Sequence, residues 1–346
     1  MDADTDADVD KLTGRCTNRW IRLLIGYAAD LTEFYPDIRS FADPKRCGKS
    51  LQQLRAEAEL GSSQSVNKVM GGRISHFGEM PWAVSLAGGI NDLNTCAGTL
   101  ISSKHVITAA HCFADAPISQ GCSVKEAQDV DEVKKKLVVR YGSNCMGRSS
   151  KHCRYSQQPK EARIKRAEYL KFFVRRCFNS DIALLELEEE INKTVANYAC
   201  LPHRFFINPA MNFRHVTFGW GEDPSQMSST SEILNTLDVK VAPFQMCKRR
   251  YLDLGLDSIC TYERPNANVC EGDSGAGLLA FDPFRNRWIL RGVVSFGSEC
   301  SRTLSGKSVA TYQVFTDILK HAATIDAFTG VRLPTELLAK LRKLHL

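Results

Sequence analysis

The chain has 346 residues, 43% of them hydrophobic and 24% charged, and carries a formal net charge of +6 at pH 7. That balance supports a sizeable buried core and excludes a chain disordered throughout, and the length suits one large domain with extensions. Basic residues fall in short groups (Lys134–Lys136, Arg163–Arg166, Arg175–Arg176, Lys248–Arg250) with no zinc-finger spacing or RNA-reading motif, so nothing points to nucleic acid, and no stretch approaches the roughly twenty apolar residues of a membrane span.

In chain order, residues 1–68 stand apart as an N-terminal extension or pro-segment. Met1–Asp10 alternates aspartates with small residues, and Trp20–Ala29, the one short apolar run, carries Arg22; neither has the form of a secretory leader. The leucines of Leu51–Leu60 suit one or two helical turns, Gly61–Ser65 reads as a linker, and the domain boundary is placed at Lys68/Val69. From Val69 to Gly330, short β-type runs alternate with turn residues: Ala83–Leu86, His105–Ala109, Leu137–Tyr141, Ala183–Leu187, Leu237–Val241, Trp288–Phe296 and Thr311–Phe315. They predict an antiparallel all-β body closed on itself to protect its edges. Ala114–Lys136 reads as a long loop, and the pattern turns helical beyond Asp317. Residues 331–346 form an amphipathic tail, with Leu337, Leu338, Leu341 and Leu344 on one face; packing on the body is the plain expectation, a membrane-surface or partner helix the sharper one.

Thirteen cysteines, scattered singly and without C-x-x-C pairs, point to a disulfide framework rather than a metal site, and hence to an oxidising, extracellular location. Asn192-Lys-Thr194 is an N-glycosylation sequon, and no acidic cluster is spaced as a calcium loop. No cofactor and no metal are expected.

Three segments carry chemistry. Thr108-Ala-Ala-His-Cys112 ends a β-type run with a histidine beside a cysteine, Asp181 directly precedes the apolar run Ile182–Leu185, and Cys270-Glu-Gly-Asp-Ser-Gly-Ala-Gly277 sets a serine in a glycine-rich turn. Alone, each has a dull explanation: a structural histidine, a turn aspartate, a loop. Together they supply what acyl transfer to serine needs, namely a hydroxyl, a base, a carboxylate to orient the base and backbone donors for an oxyanion.

In these motifs, and from Val69 to Ile325, the sequence resembles the chymotrypsin/trypsin serine protease family. An added cysteine pattern in the first half resembles that of nematode members. The resemblance implies two antiparallel six-stranded β-barrels with a C-terminal helix. It assigns His111 as general base, Asp181 as its orienting acid, Ser274 as nucleophile, and the N–H groups of Gly272 and Ser274 as oxyanion hole. Ser295 would support the buried carboxylate, while Phe296 and Gly297 would pair with substrate backbone. Cleavage after Lys68 would free the Val69 amine to pair with Asp273, which makes the chain a zymogen. The implied disulfides are Cys96–Cys112, Cys247–Cys260, Cys270–Cys300, and Cys47–Cys200 as a tether for the pro-segment. One usual bridge is lost at both ends, to His215 and Ala280. Cys145–Cys153 and Cys122–Cys177 are guesses that leave Cys16 over.

The sequence also departs from the family. Asn268 stands where a trypsin has a carboxylate, and Val309 falls where a pocket-lining glycine is common, so weak cleavage after arginine is expected, with chymotrypsin-like, elastase-like or mixed selectivity open. Ala276-Gly277 replaces the usual Gly-Pro. The expected partners are polypeptide substrates, an activating protease and protein protease inhibitors. The alternative is a catalytically inactive homologue that uses the fold as an extracellular binding module; a purely structural extracellular protein would leave the three spaced motifs unexplained.

Overall fold

A computed structural model describes residues 43, 45–59, 73–88, 94–113, 129–146, 158–169, 180–205, 213–222 and 231–330. All of these fall in one compact unit, Ala42–Leu346. The boundary at Lys68/Val69, the short apolar run and the C-terminal tail lie outside the described residues.

The first half forms a closed antiparallel barrel. Its strands are β2 (Ala83–Gly88), β3 (Asn94–Leu100), β4 (His105–Thr108), β5 (Leu137–Tyr141), β6 (Lys160–Glu168) and β7 (Ala183–Leu187), hydrogen-bonded in the order β2-β3-β4-β7-β6-β5 and closed by β2 against β5. Strands β4 and β7 are buried on both faces, with only Glu186 partly exposed. That explains why these runs lack the strict alternation of a half-exposed strand.

The second sheet corrects the expectation of a second six-stranded barrel. It holds eight strands and stays open, in the order β1-β9-β8-β12-β13-β14-β11-β10. These are β1 (Arg73–Ile74), β8 (Arg214–Gly219), β9 (Asn235–Val239), β10 (Val241–Ala242), β11 (Ser258–Tyr262), β12 (Gly277–Asp282), β13 (Arg287–Phe296) and β14 (Tyr312–Asp317). The two-residue strands β1 and β10 take the edges, pairing with β9 and β11 rather than with each other. Short edges are a common way to leave a sheet open without inviting further pairing. Register shifts at Leu278/Leu279 and between Val294 and Phe296 curl the sheet.

One continuous core joins the two sheets. Trp82, Ile107 and Leu184 of the barrel and Leu279, Leu290 and Phe315 of the open sheet all belong to it, each 0% exposed. Each such side chain contributes on the order of 2 kcal/mol through its removal from water. The described α-helices are α1 (Leu51–Glu59), α2 (Val130–Lys136), α3 (Phe244–Arg250), α4 (Cys300–Leu304) and α5 (Ala322–Thr329). Helix α2 occupies the end of the stretch expected to be a loop. Its start is capped by the Asp129 carboxylate, which accepts from the Asp131 and Glu132 amides, and Lys134–Lys136 fill its last turn, each end matching the helix dipole. No described helix is long and apolar enough to cross a membrane.

Four disulfides join described cysteines: Cys47–Cys200, Cys96–Cys112, Cys247–Cys260 and Cys270–Cys300. Cys145 is also disulfide-bonded, to a residue outside the described ones. At the site of the lost bridge, Ala280 and His215 lie directly opposite each other on β12 and β8. The His215 ring is buried and donates from Nδ1 to the Phe213 carbonyl at 2.7 Å, and burial pulls its pKa below the ordinary imidazole value. The Asn192-Lys-Thr194 sequon sits on an exposed bend, where the Thr194 hydroxyl donates to Asn192 Oδ1 at 2.7 Å.

Candidate active site

The site forms where barrel and open sheet meet. His111 lies in a single 3-10 turn, Ala110–Phe113, that follows β4. The Cys96–Cys112 disulfide pins the turn to β3, and Thr108 Oγ1 donates to the Ala97 carbonyl at 2.7 Å just before it. Asp181 lies just before β7, whose residue Ala183 pairs with Thr108 of β4. The pairing of β4 with β7 therefore brings His111 and Asp181 together across 70 residues.

Asp181 is held from four sides. Its Oδ2 lies 2.7 Å from His111 Nδ1 and accepts from the Ser295 hydroxyl at 2.6 Å, and its Oδ1 accepts from the His111 amide at 2.9 Å. Its backbone carbonyl accepts from Thr316 Oγ1 at 2.9 Å. Ser295 falls at the β13/β14 register shift, where a bulge re-aims side chains. Burial alone would raise the Asp181 pKa, but the His111 charge, its hydrogen bonds and the Ser295 hydroxyl outweigh burial and hold the carboxyl below its ordinary range. For His111 burial alone would lower the pKa, and the adjacent Asp181 carboxylate more than offsets that, leaving the imidazole pKa raised. With Nδ1 donating to Asp181, the neutral ring keeps its lone pair on Nε2, the orientation a general base needs.

Sequence reasoning missed a support behind this pair. Ser180 adopts a left-handed backbone, φ 62°, and both its amide and its hydroxyl donate to Asp257 Oδ2, at 2.7 and 3.0 Å. His321 Nε2 sits 3.0 Å from the same oxygen. Neither Asp257 nor His321 lies in a recognisable motif, and only the fold brings them behind Asp181.

Ser274 is carried on the turn before β12. Its carbonyl accepts from the Ala97 amide at 2.8 Å, so the serine turn lies against β3 beside the disulfide that holds the histidine turn. Gly275 makes this approach possible: its φ is +83°, and a Cβ there would collide with the Ala97 carbonyl and Thr108 Oγ1. The amides of Gly272 and Ser274 have no acceptor among the described residues, nor does Ser274 Oγ have a hydrogen-bond partner there, His111 included. Nucleophile–base bonds commonly close only with substrate bound.

Asp273, between these two amides, turns inward. Its Oδ1 accepts from the Gly221 amide at 2.7 Å and its Oδ2 from the Cys270 amide at 2.9 Å. Although the residue as a whole keeps some exposure, the carboxyl is packed onto Gly219 and Gly221, where any side chain would collide with it. Burial therefore pushes its pKa up to about 6 against those two amide bonds, and no cation pairs with it among the described residues. Lys68 and Val69 lie outside the described residues.

Around the expected specificity pocket, Asn268 is half-buried and its Nδ2 has no hydrogen-bond partner among the described residues. Val309 is 79% exposed. Phe296 packs edge-on against Tyr251, ring centroids 5.2 Å apart, and Gly297 follows it on the surface. Cys96, His111 and Cys112 are spaced as a small metal-ligand cluster, but both sulfurs are committed to their disulfide and His111 Nδ1 to Asp181, which leaves no donor set for an ion.

A barrel and a curled antiparallel sheet sharing one core, with a histidine–carboxylate pair and a glycine-bound serine turn at their junction, define a serine-protease-type fold. The family profile described as Trypsin matches residues 69–319, and the chain belongs to this trypsin-like serine protease family. It is 31% identical to Trypsin-like protease try-5 of Caenorhabditis elegans over 270 residues, 72% of this chain and 82% of that protein. It is 26% identical to Mannan-binding lectin serine protease 1 of Mus musculus over 278 residues, 78% of this chain and 36% of that one. The human protein of the same name is 24% identical over 279 residues, 78% of this chain and 37% of its own length, so the match spans little more than a third of these two longer relatives.

Proposed function

We propose that the chain is a secreted serine endopeptidase made as a zymogen, with His111, Asp181 and Ser274 as its catalytic triad and polypeptides as substrates. The observation that carries this reading is the buried Asp181, which accepts from both His111 and Ser295 while the serine turn packs beside the same disulfide-pinned loop.

In the first step His111 Nε2 removes the Ser274 proton as Oγ bonds to the scissile carbonyl carbon, and the carbonyl π electrons move onto oxygen. The unpaired amides of Gly272 and Ser274 support a role as donors to that oxyanion; loss of one such donor typically costs about 10²–10³ in rate. The imidazolium, stabilised by Asp181, then gives its proton to the leaving amine as the C–N bond breaks. Water repeats the sequence to free the acyl group and restore Ser274.

Activation is cleavage after Lys68. The new Val69 ammonium would enter beside Asp273, whose enclosed carboxyl has two amide donors but no counter-charge among the described residues. The Cys47–Cys200 bridge would keep the cut segment attached. Secretion is supported by the disulfides, since such bridges persist in oxidising compartments.

The test is labelling by a serine-directed phosphonate. Protein cut after Lys68 should be labelled, and uncut protein and cut Ser274→Ala should not. Absence of labelling and of peptide hydrolysis in the cut protein would favour a non-catalytic homologue.

A further inference from the structure

The chain enters β7 by an unusual path. Ser180 holds a left-handed backbone at φ 62°, which few residues with a side chain adopt. The Ile182 amide then donates to the Ser180 carbonyl at 2.8 Å, closing a three-residue turn around Asp181. Both features run against the extended geometry of the strand that follows, and such conformations persist only where the surrounding structure enforces them. Relaxed toward a strand, this segment would carry the Asp181 carboxylate away from His111.

The enforcing groups come from the open sheet. Asp257 directly precedes β11, and its Oδ2 accepts from the Ser180 amide at 2.7 Å, the Ser180 hydroxyl at 3.0 Å and His321 Nε2 at 3.0 Å. Burial alone would raise the Asp257 pKa, but the bonds from His321 and Ser180 outweigh it and hold the carboxyl below its ordinary range, so the acceptor is charged at neutral pH. The Asp257 carbonyl accepts from the Asp317 amide at 2.7 Å, and Ser258, the next residue, pairs with Thr316. Thr316 Oγ1 in turn donates to the Asp181 carbonyl at 2.9 Å. Neighbouring residues of the open sheet therefore grip Ser180 and Asp181 together. His321 is 8% exposed, in the 3-10 turn Ile318–His321 after β14, so packing restrains its ring and the ring restrains Asp257.

We propose that Asp257, held by His321, is a positioning residue for catalysis: it fixes the left-handed Ser180 and so aims the Asp181 carboxylate at His111. The kinetic consequence rests on the endopeptidase reading above; the geometric one does not.

Two readouts separate these claims. Chain cut after Lys68 is assayed for kcat and KM on the peptide anilide it cleaves fastest. In parallel, the far-downfield proton resonance of the His111–Asp181 hydrogen bond is recorded by NMR in the cut Ser274→Ala protein, which needs no turnover. Asp257→Ala should lower kcat by about 100-fold, change KM less than about threefold, and abolish the resonance. The acid limb of kcat/KM should also move to lower pH, because a misplaced Asp181 stabilises the imidazolium less. Asp257→Asn keeps an oxygen for the Ser180 amide and should lose less than about tenfold. Three results would each overturn the proposal: a lowered unfolding midpoint in Asp257→Ala with kcat and resonance unchanged, a loss in Asp257→Asn as large as in Asp257→Ala, or no resonance even with Asp257 in place. A resonance that depends on Asp257 in a cut protein that hydrolyses no peptide would uphold the positioning and count against the endopeptidase reading. Should Asp257→Ala fail to fold, His321→Ala decides by the same readouts: kcat about tenfold lower with a weakened resonance supports the proposal, and no change in either overturns it.

Discussion

The buried Asp273 carboxyl makes the uncut chain's stability pH-dependent in a way that one substitution exposes. Its folded pKa is about 6 against 3.8 for a free aspartate, a gap of about two units, or about 3 kcal/mol. Because the folded value is the higher one, the fold favours the protonated acid. The chain therefore suffers no penalty below about pH 3.8, loses stability as pH rises toward 6, and carries the full cost above it. Asp273→Asn removes the charge but also replaces Oδ2, the acceptor of the Cys270 amide, for about 1 kcal/mol. In a Lys68→Gln background, which prevents cleavage, the substitution should stabilise by about 2 kcal/mol at pH 8 and destabilise by about 0.5 kcal/mol at pH 4. Urea unfolding with disulfides intact, followed by tryptophan fluorescence at both pH values, measures this. In protein cut after Lys68 the sign at pH 8 should reverse, since Asn would leave the Val69 ammonium unpaired. A uniform effect of Asp273→Asn at pH 4 and pH 8 in the uncut chain would refute the account of an uncompensated buried acid.

Because Asp181 raises the His111 pKa, kcat/KM of the cut protein should fall as pH drops through a value above the ordinary 6.5 of imidazole. Asp181→Asn should move that acid limb to lower pH and reduce kcat by about 10⁴, as read from pH–rate profiles. Gly275→Ala, at φ +83° and against the Ala97 carbonyl, should cost upwards of about 2 kcal/mol in unfolding free energy and abolish phosphonate labelling, because the serine turn can no longer seat on β3. On non-reducing gels, protein cut after Lys68 should keep its N-terminal segment, and paired Cys47→Ser and Cys200→Ser changes should release it.

The β-runs Ala83–Leu86, Leu137–Tyr141 and Trp288–Phe296 were legible because apolar, β-branched and aromatic residues cluster there between turn signals, and each lies within an observed strand. The open second sheet was not legible. Whether a sheet closes depends on which edges meet, and two-residue strands such as Arg73–Ile74 and Val241–Ala242 carry too little pattern to announce themselves.

At the site the division is similar. The sequence by itself marked the candidate residues: a histidine beside a cysteine, an aspartate ahead of an apolar strand and a serine between glycines are local patterns, readable because backbone and side-chain demands coincide within a few residues. Tertiary structure alone decided what surrounds them. Asp257 and His321 behind Ser180, His215 opposite Ala280, and Glu263 and Gln313 behind Gly297 are contacts between segments remote in the chain. Their effect depends on burial, which turns an ordinary carboxylate into a charge that needs a partner, and burial is a property of the fold rather than of neighbouring residues.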